Sequence, residues 1–116
     1  MNKVDLLQKI LTTYTPLKLD VDLFYLEMPL DKSGFWFEDS QTDNVRTERR
    51  QFDIYARYKS KASARANTAF FQSAIDNLDA CKIDDELFKL RLLYSWNYLG
   101  KDTEGYFIFT NTLEIV

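Results

Sequence analysis

Side chains that carry most enzyme chemistry are scarce in this sequence. The chain has no His and one Cys, Cys81, which lies beside Lys82 in a polar stretch. Without an imidazole no Ser/His or Cys/His pair can form, so acid–base catalysis near neutral pH would fall to shifted carboxylates, Lys or Tyr. One Cys and no His also cannot supply the four N or S ligands of a structural zinc site. The composition therefore predicts that the protein is not an enzyme, and Cys81 is interpreted as an ordinary small residue.

An acidic run and the glycines are two further patterns that could form ligand sites. Three consecutive acids, Asp84, Asp85 and Glu86, could hold a hard cation, but their spacing matches no EF-hand loop and such runs are usually solvated turns. The chain has only three glycines, at positions 34, 100 and 105, and they form neither a P-loop nor a GxGxxG motif, so no phosphate-binding loop is predicted. We therefore predict neither a bound metal nor a cofactor.

The length and composition are typical of one domain with one core. The chain has 116 residues, of which 46% are hydrophobic, 28% charged and 16% aromatic. The aromatic fraction is high, and aromatic side chains suit broad sheets and interfaces because each covers a large area. Charges interrupt the apolar residues of the first ten positions, so the sequence predicts neither a signal peptide nor a membrane span. We expect the protein in the cytosol, without contact with a membrane.

The apolar pattern predicts a helix, three strands, a second helix and two more strands. Apolar residues recur at helical spacing in two segments and alternate with polar residues in the others. The predicted elements are a helix from Val4 to Tyr14, strands over 18–27, 35–38 and 49–58, a helix from Ser60 to about Ala80, and strands over 87–98 and 106–115. This order, α-β-β-β-α-β-β, predicts an α+β fold with a mixed or mostly antiparallel sheet of about five strands and both helices packed on one face.

Finer expectations concern turns and faces. The segment 31–34 has the composition of a turn, so the first two strands are expected to form a hairpin with a positive φ at Gly34. In the second helix, after an N-cap at Ser60 or Ser63, a broad stripe of small and apolar residues is expected to approach the sheet closely. The stripe contains Ala66, Phe70, Ala74 and Leu78 with the neighbouring Ala62, Ala69, Phe71 and Ile75. The polar residues from Asp39 to Thr47 exceed what a hairpin needs and are interpreted as a contact loop.

The second face of the predicted sheet retains aromatic residues, including Trp36 and Tyr55. A sheet with one solvent-exposed face normally alternates more cleanly between apolar and polar residues. We interpret this face as one that a partner polypeptide covers, although a twisted sheet with curling edges could cover it within one subunit. Trp96 is assigned to the core, whereas Trp36, next to a turn, suits either the core or a binding anchor.

Charge is segregated along the chain. Residues 20–44 contain seven acids and one base, for a net charge of −6, and residues 45–65 contain seven bases and two acids, for +5. Separate patches of opposite sign allow copies to dock head to tail, and such a contact that closes on itself makes a ring. The alternative is that the two segments are neighbours in the fold and neutralise each other within one subunit.

A second functional reading concerns single-stranded nucleic acid. The run Arg46 to Arg50, with Tyr55, Arg57, Tyr58 and Lys59 nearby, has the basic and aromatic composition of a binding platform. The net charge of −3 argues against it, since phosphate binding depends on a dominant basic field. An unrelated adaptor or immunity protein would share the same features.

Five sequence features follow one another along the chain after the first helix. They are the segment Gly34-Phe-Trp-Phe-Glu38, the charged loop, the strand Phe52-Asp-Ile-Tyr-Ala-Arg57, the Ala-rich helix with Phe70-Phe71 and Ala74-Ile75, and two long aromatic strands. In this order they resemble the small minor capsid or tail terminator proteins of siphophages. The resemblance covers most of the chain, as a single tail-terminator-like domain over residues 1–116, and includes no diagnostic motif.

The resemblance implies a structural role in the virion. Proteins of that family form a hexameric ring at the head-proximal end of the tail tube, stop its polymerisation and offer a surface for head joining. The implied partners are other copies of the chain, the tail tube protein and a head-completion or connector protein, with assembly in the host cytoplasm and nucleic acid only as DNA passing through the lumen. This sequence's own charges, loop and aromatic residues select the candidate contact residues: Trp36, Asp39, Asp43, Arg46, Arg49, Arg50, Tyr55 and Arg57.

Overall fold

A mixed sheet with both helices on one face forms the middle of the fold. The computed structural model describes residues 2–40 and 50–116. The elements are α1 (Lys3–Tyr14), β1 (Leu23–Tyr25), β2 (Gly34–Asp39), β3 (Arg50–Tyr58), α2 (Lys61–Asp76), β4 (Cys81–Ile83), β5 (Glu86–Phe88), β6 (Leu90–Leu92), β7 (Asn97–Lys101) and β8 (Phe107–Ile115). The predicted α+β class is confirmed, with a six-stranded sheet and a separate two-stranded one among the described residues.

Two long strands form the centre of the main sheet. Strand β3 pairs antiparallel with β8 over nine positions, from Arg50 opposite Ile115 to Tyr58 opposite Phe107. Strand β2 pairs antiparallel with β3, β1 forms one edge, and β6 and β7 pair in turn with the other side of β8. The strands predicted over 49–58 and 106–115 are confirmed, because core-facing apolar residues recur at every second position through most of both strands and so specify the register.

The core lies between the sheet and the helices. It contains the inward residues of the strands together with the buried face of α1 and part of α2. The largest fully buried side chains are Phe35, Phe37, Phe52, Phe71, Leu7, Ile10, Leu11, Leu23, Ile54, Ile75, Leu90 and Leu113. Helix α1 follows its predicted stripe, and the Asn2 side chain caps it by accepting from the N–H of Asp5 at 2.8 Å.

Helix α2 buries only one edge of the broad stripe that was predicted. The side chains that it buries are those of Ala64, Thr68, Phe71 and Ile75. Phe71 and Ile75 belong to the predicted stripe, but the prediction was wrong for Ala66, which is exposed, and for Phe70, which is 53% exposed. Contact between the rings of Phe71 and Phe35, 4.7 Å apart, selects the edge that contains Phe71. Ser60, one of the two predicted candidates, is the N-cap, and its side chain accepts a hydrogen bond from the N–H of Ser63 at 3.0 Å.

The first two strands do not form the predicted hairpin. Strand β1 pairs with β2 in parallel, with Tyr25 opposite Phe37, so residues 26–33 must return the chain to the end where β1 began. Gly34 has the expected positive φ, 145°, but it begins β2 instead of closing a tight turn. A Cβ at Gly34 would lie 2.6 Å from the backbone oxygen of Asp22, so glycine is what lets the two strands meet here.

The single strand predicted over 87–98 is three short strands. Strand β5 leaves the main sheet and pairs with β4, across a turn whose central residues, Asp84 and Asp85, have φ of 50° and 66°. Two positive φ values in succession are typical of a tight hairpin turn, and Asp tolerates them. Strands β6 and β7 are separated by a break at which the side chain of Asn111 replaces the ladder, donating to the oxygen of Tyr94 at 2.8 Å and accepting from its N–H at 3.2 Å.

Trp96 lies in this break and packs against the core, as predicted. Its ring is 6.1 Å from that of Phe35 and 6.0 Å from that of Phe71. In a regular strand Tyr94 would share a face with Trp96, two residues later, but it is 67% exposed. Alternation is lost because strand pairing is interrupted between β6 and β7, where Tyr94 bonds to the side chain of Asn111.

One buried cation, Arg57, holds the connection 26–33 against the sheet. Its side chain is 5% exposed and donates to the backbone oxygens of Lys32 at 2.7 Å and Leu30 at 3.0 Å, while Nε donates to Asp102 Oδ2 at 2.7 Å. The guanidinium carbon also lies 3.7 Å from the ring centre of Tyr106. A buried guanidinium is tolerated only when it is paired and hydrogen-bonded, so these contacts tie three segments of the chain together.

Replacing this cation should destabilise the fold far more than replacing an exposed one. We expect Arg57→Leu to lower the free energy of unfolding by about 3 kcal/mol, because it leaves Asp102 and two backbone carbonyls without their donor. The matched control is Arg91→Leu, which breaks a pair whose arginine is 60% exposed and should lose less than about 1 kcal/mol. Urea denaturation measures both, and equal losses would contradict the role given to Arg57.

Candidate protein-binding surface

The face of the sheet opposite the helices, called the open face here, is the candidate functional surface. Strand register places Trp36, Tyr55, Thr110 and Asn97 side by side across β2, β3, β8 and β7. Towards the start of β3, the next row contains Glu38, Asp53 and Thr112, and the row after it contains Gln51, Glu114 and Arg91. The open face therefore grades from aromatic to polar.

An aromatic pair occupies the middle of the open face. The rings of Trp36 and Tyr55 are stacked, 4.6 Å apart and 12° from parallel. The hydroxyl of Tyr55 donates to Glu38 Oε1 at 3.2 Å. Burial raises the pKa of Tyr55 to about 12, and the charges of Glu38 and Asp53 add to the effect. The hydroxyl therefore stays protonated at neutral pH and serves as a donor, and the stack presents a fixed apolar platform.

A cleft of about 540 Å³ opens beside this pair. Residues of the connection 26–33 form one wall, the turn after β7 forms the opposite wall, and Trp36, Tyr55 and Ile108 form the floor. Three leucines at its edges are largely exposed: Leu26 at 54%, Leu30 at 69% and Leu99 at 54%. Apolar clefts with a few polar groups are the usual form of binding sites.

A second groove, of about 420 Å³, continues the first across the sheet. The two depressions share Tyr55 and Leu99, and the second is also lined by Asp53 and by the exposed ring of Tyr94. These two adjoining depressions are together called the long groove here. The first is lined largely by apolar side chains and the second mostly by polar ones, so the exposed apolar surface is concentrated around Trp36, Tyr55 and the three leucines.

The polar end of the open face is closed by hydrogen bonds within the chain. Glu114 accepts from Gln51 Nε2 at 2.8 Å through one carboxylate oxygen and from Arg91 Nε at 2.8 Å through the other. Gln51 is buried and Glu114 is only 13% exposed on its side chain. These groups hydrogen-bond to one another, so contacts within the chain hold this end of the open face together.

Asp102 fixes the wall of the cleft that follows β7. Its Oδ1 accepts from the N–H groups of Glu104 and Tyr106, at 3.0 and 2.9 Å, while Oδ2 accepts from Arg57. Burial alone would raise the pKa of this carboxyl, but the hydrogen bond from Arg57, the two backbone donors and the charge of Arg57 together lower the pKa below its usual 3.8. The ionised form is therefore part of the folded structure.

The structure brings together only some of the predicted contact residues. Trp36 and Tyr55 are adjacent on the open face. Arg57 lies on the same side of β3 but is buried, with its donors used within the chain. Asp39 is exposed at the end of β2, and Arg50 lies on the helix side with its guanidinium 5.4 Å from the ring of Phe88. Asp43, Arg46 and Arg49, with most of the contact loop, lie outside the described residues.

Among the described residues of the proposed nucleic-acid platform, Tyr55, Arg57 and Tyr58 do not form one surface. Tyr55 lies on the open face, whereas Tyr58 is on the helix side, with its ring 6.0 Å from that of Phe35. Arg57 is neutralised by Asp102 beneath the connection.

In residues 2–40 and 50–116, no group of three or more His, Cys, Asp or Glu could hold a metal ion. None of the helices in that part of the chain is long and apolar enough to cross a bilayer.

Sequence reasoning missed the walls of the long groove. Leu26 and Leu30 fall in a segment interpreted as strand and turn, and Leu99 falls beside a predicted loop. A signal was present, because apolar residues on both sides of Pro29 are unusual in a short solvated connection. Asp102, which fixes the second wall, carried no signal of its own, since an Asp in a short segment between two glycines, Gly100 and Gly105, is ordinary turn composition.

The charge on Asp102 should make stability depend on pH in a defined window. A carboxyl with a lowered folded-state pKa stabilises the fold above its unfolded pKa, near 3.8, and loses that contribution as pH falls through the lower folded-state value. Asp102→Asn should therefore be less stable than the wild type at pH 6, and the gap should shrink below pH 3.8. The control, Asp84→Asn, removes an exposed acid, and its stability should differ little from that of the wild type at every pH. Urea midpoints measured from pH 6 to 2.5 give the stability difference for each variant. A gap for Asp102→Asn that does not change with pH would contradict this assignment.

The comparisons with known proteins add no family. No family model, no curated protein and no solved structure matches the chain. The resemblance to phage tail terminators therefore stays a prediction from the sequence.

Proposed function

We propose that this chain is a structural subunit that assembles into a ring and, as its sequence resemblance implies, closes the head-proximal end of a siphophage tail tube. The observation that supports the proposal best is the long groove on the open face. An exposed apolar hollow of this kind, on a face that the two helices leave uncovered, suits contact with another polypeptide.

The composition of the groove supports a protein partner over a small molecule or a nucleic acid. Its floor is the stacked pair of Trp36 and Tyr55, and aromatic side chains dominate the binding energy of protein interfaces. Glu27, Glu104 and Asp53 line it, which disfavours phosphate groups. The groove is open along its length, so it suits an extended or helical segment.

A terminator of this kind works by geometry alone. One side of a ring matches the end layer of the tube and adds to it, whereas the other side lacks the contacts that a further tube layer needs. The head-completion or connector protein then docks on that side. No group in the chain needs to react, and the long groove would supply a contact between neighbouring subunits or to the tube.

The proposal is tested by measuring assembly. Light scattering after size-exclusion chromatography over a hundredfold range of concentration, alone and with the tail tube protein of the same phage, should reveal a ring that negative-stain microscopy can image. Adding the protein to polymerising tube protein should shorten the tubes. Leu99→Arg should raise the concentration for half-assembly by about tenfold or more, since it places a charge in an apolar contact.

The control is Leu87→Arg, which changes another exposed leucine, 68% exposed, that lines neither part of the long groove. It should assemble like the wild type, and both variants should keep the wild-type urea midpoint. A monomer at every concentration, alone and with the tube protein, would contradict the proposal. Binding of a single-stranded oligonucleotide that weakens steeply with salt would instead favour the nucleic-acid alternative.

A further inference from the structure

Two surfaces on opposite sides of the domain have complementary properties. One is the long groove on the open face. The other is the outer side of α2, called the outer helix face here, which carries Ala62, Arg65, Ala66, Ala69, Phe70 and Ser73. All six are exposed although α2 packs on the sheet through its other side. The first surface is concave and the second is convex.

The outer helix face has one large apolar side chain surrounded by small ones. Phe70 is 53% exposed, and Ala66, Ala69 and Ser73 precede or follow it by one turn or less. Small residues allow a helix to approach another surface closely, and a helix that docks in a groove usually does so through a few anchors spaced by three or four residues. Phe70 therefore has the form of an anchor that fills an apolar hollow.

The long groove and the outer helix face also differ in the sign of their charge. The groove is lined by three acids, Glu27, Glu104 and Asp53, and by one base, Lys101, while the charge of Arg57 beneath it is cancelled by Asp102. Lys59 lies at the end of the groove wall, in a hollow shared with Asp31 and Glu104, so acids remain in excess there.

Bases are exposed on the other side of the domain. Lys61 and Arg65 are on the first turns of α2, and Lys61 Nζ lies 4.6 Å from the ring of Tyr98. Lys101 borders the groove, but its Nζ lies 5.0 Å from the ring of Phe107, whose side chain is on the helix side of β8. An acidic concave surface and a basic convex one on opposite sides of one chain favour contact between copies.

We propose that the outer helix face of one copy docks in the long groove of the next, with Phe70 against Trp36, Tyr55 and Leu99, and with Arg65 near the acidic groove wall. This deepens the proposed ring, on which it rests, by naming the contact between subunits. The two surfaces are different, so the contact is heterologous: each copy uses its groove for one neighbour and its helix for the other, and a ring results when the rotation closes.

The test uses two variants that each lose one surface. Phe70→Glu keeps the groove and loses the helix anchor, and Leu99→Arg keeps the helix and loses the groove. Each alone should raise the concentration for half-assembly by about tenfold or more. Mixed in equal amounts, they retain one intact groove and one intact helix, so they should form a 1:1 dimer of twice 13.7 kDa that cannot grow further. Leu87→Glu and Leu87→Arg are the matched controls and should assemble as the wild type does.

The outcomes separate the inference from the proposed function. If the wild type assembles and Phe70→Glu assembles equally well, the helix contact is wrong and the ring proposal stands. If both variants fail to assemble and their mixture stays monomeric, the two surfaces do not meet each other and the inference is overturned. If the wild type never assembles, alone or with the tube protein, the proposed function fails first. Urea midpoints equal to the wild type show that each variant is folded, and a restored dimer in the mixture shows it directly.

Discussion

The structure depends on one desolvated cation. Arg57 lies almost entirely out of solvent, yet its donors meet a carboxylate and backbone oxygens at normal hydrogen-bond distances. A guanidinium in this position is acceptable only because planar N–H groups in a fixed fork can reach several acceptors at once, which a lysine could not do. Because those acceptors come from the connection after β1 and from the turn after β7, the two walls of the long groove are set by the same side chain.

This arrangement explains why an apolar hollow persists in water. The connection directs the backbone oxygens of Leu30 and Lys32 to Arg57, and the side chains of Leu26 and Leu30 stay largely exposed. If the connection turned a leucine inward, its carbonyl groups and the guanidinium of Arg57 would be left without hydrogen-bond partners. The stabilisation lost in this way exceeds the stabilisation gained by burying one leucine. The exposed apolar surface is thus a consequence of satisfying buried polar groups, and the proposed contact between copies is where that surface would be covered.

The sequence predicted the parts of the fold that regular repetition specifies. In strand β3 core-facing apolar residues recur at every second position, and α1 keeps one stripe with a polar cap, so both followed from periodicity. Helix α2 has a broad apolar stripe, and only the position of Phe35 on the sheet decides that Phe71 and not Phe70 turns inward. The parallel pairing of β1 and the break at Asn111 depend on contacts between residues distant in sequence. Of the candidate surface, the aromatic pair on β2 and β3 was predictable from alternation, whereas the burial of Arg57 was not, because Asp102 is 45 residues away.

The margins of the sheet restrict how copies could join. One margin is β1, only three residues long, and the other is interrupted between β6 and β7, where Asn111 occupies the backbone groups of Tyr94. A long row of free amide and carbonyl groups recruits further strands and leads to uncontrolled fibrils, and short or broken margins suppress that route. Neither edge of the sheet therefore supports growth by addition of strands from other copies. Copies would have to associate through the broad surfaces above and below the sheet, and an assembly of that kind can close with a fixed number of subunits.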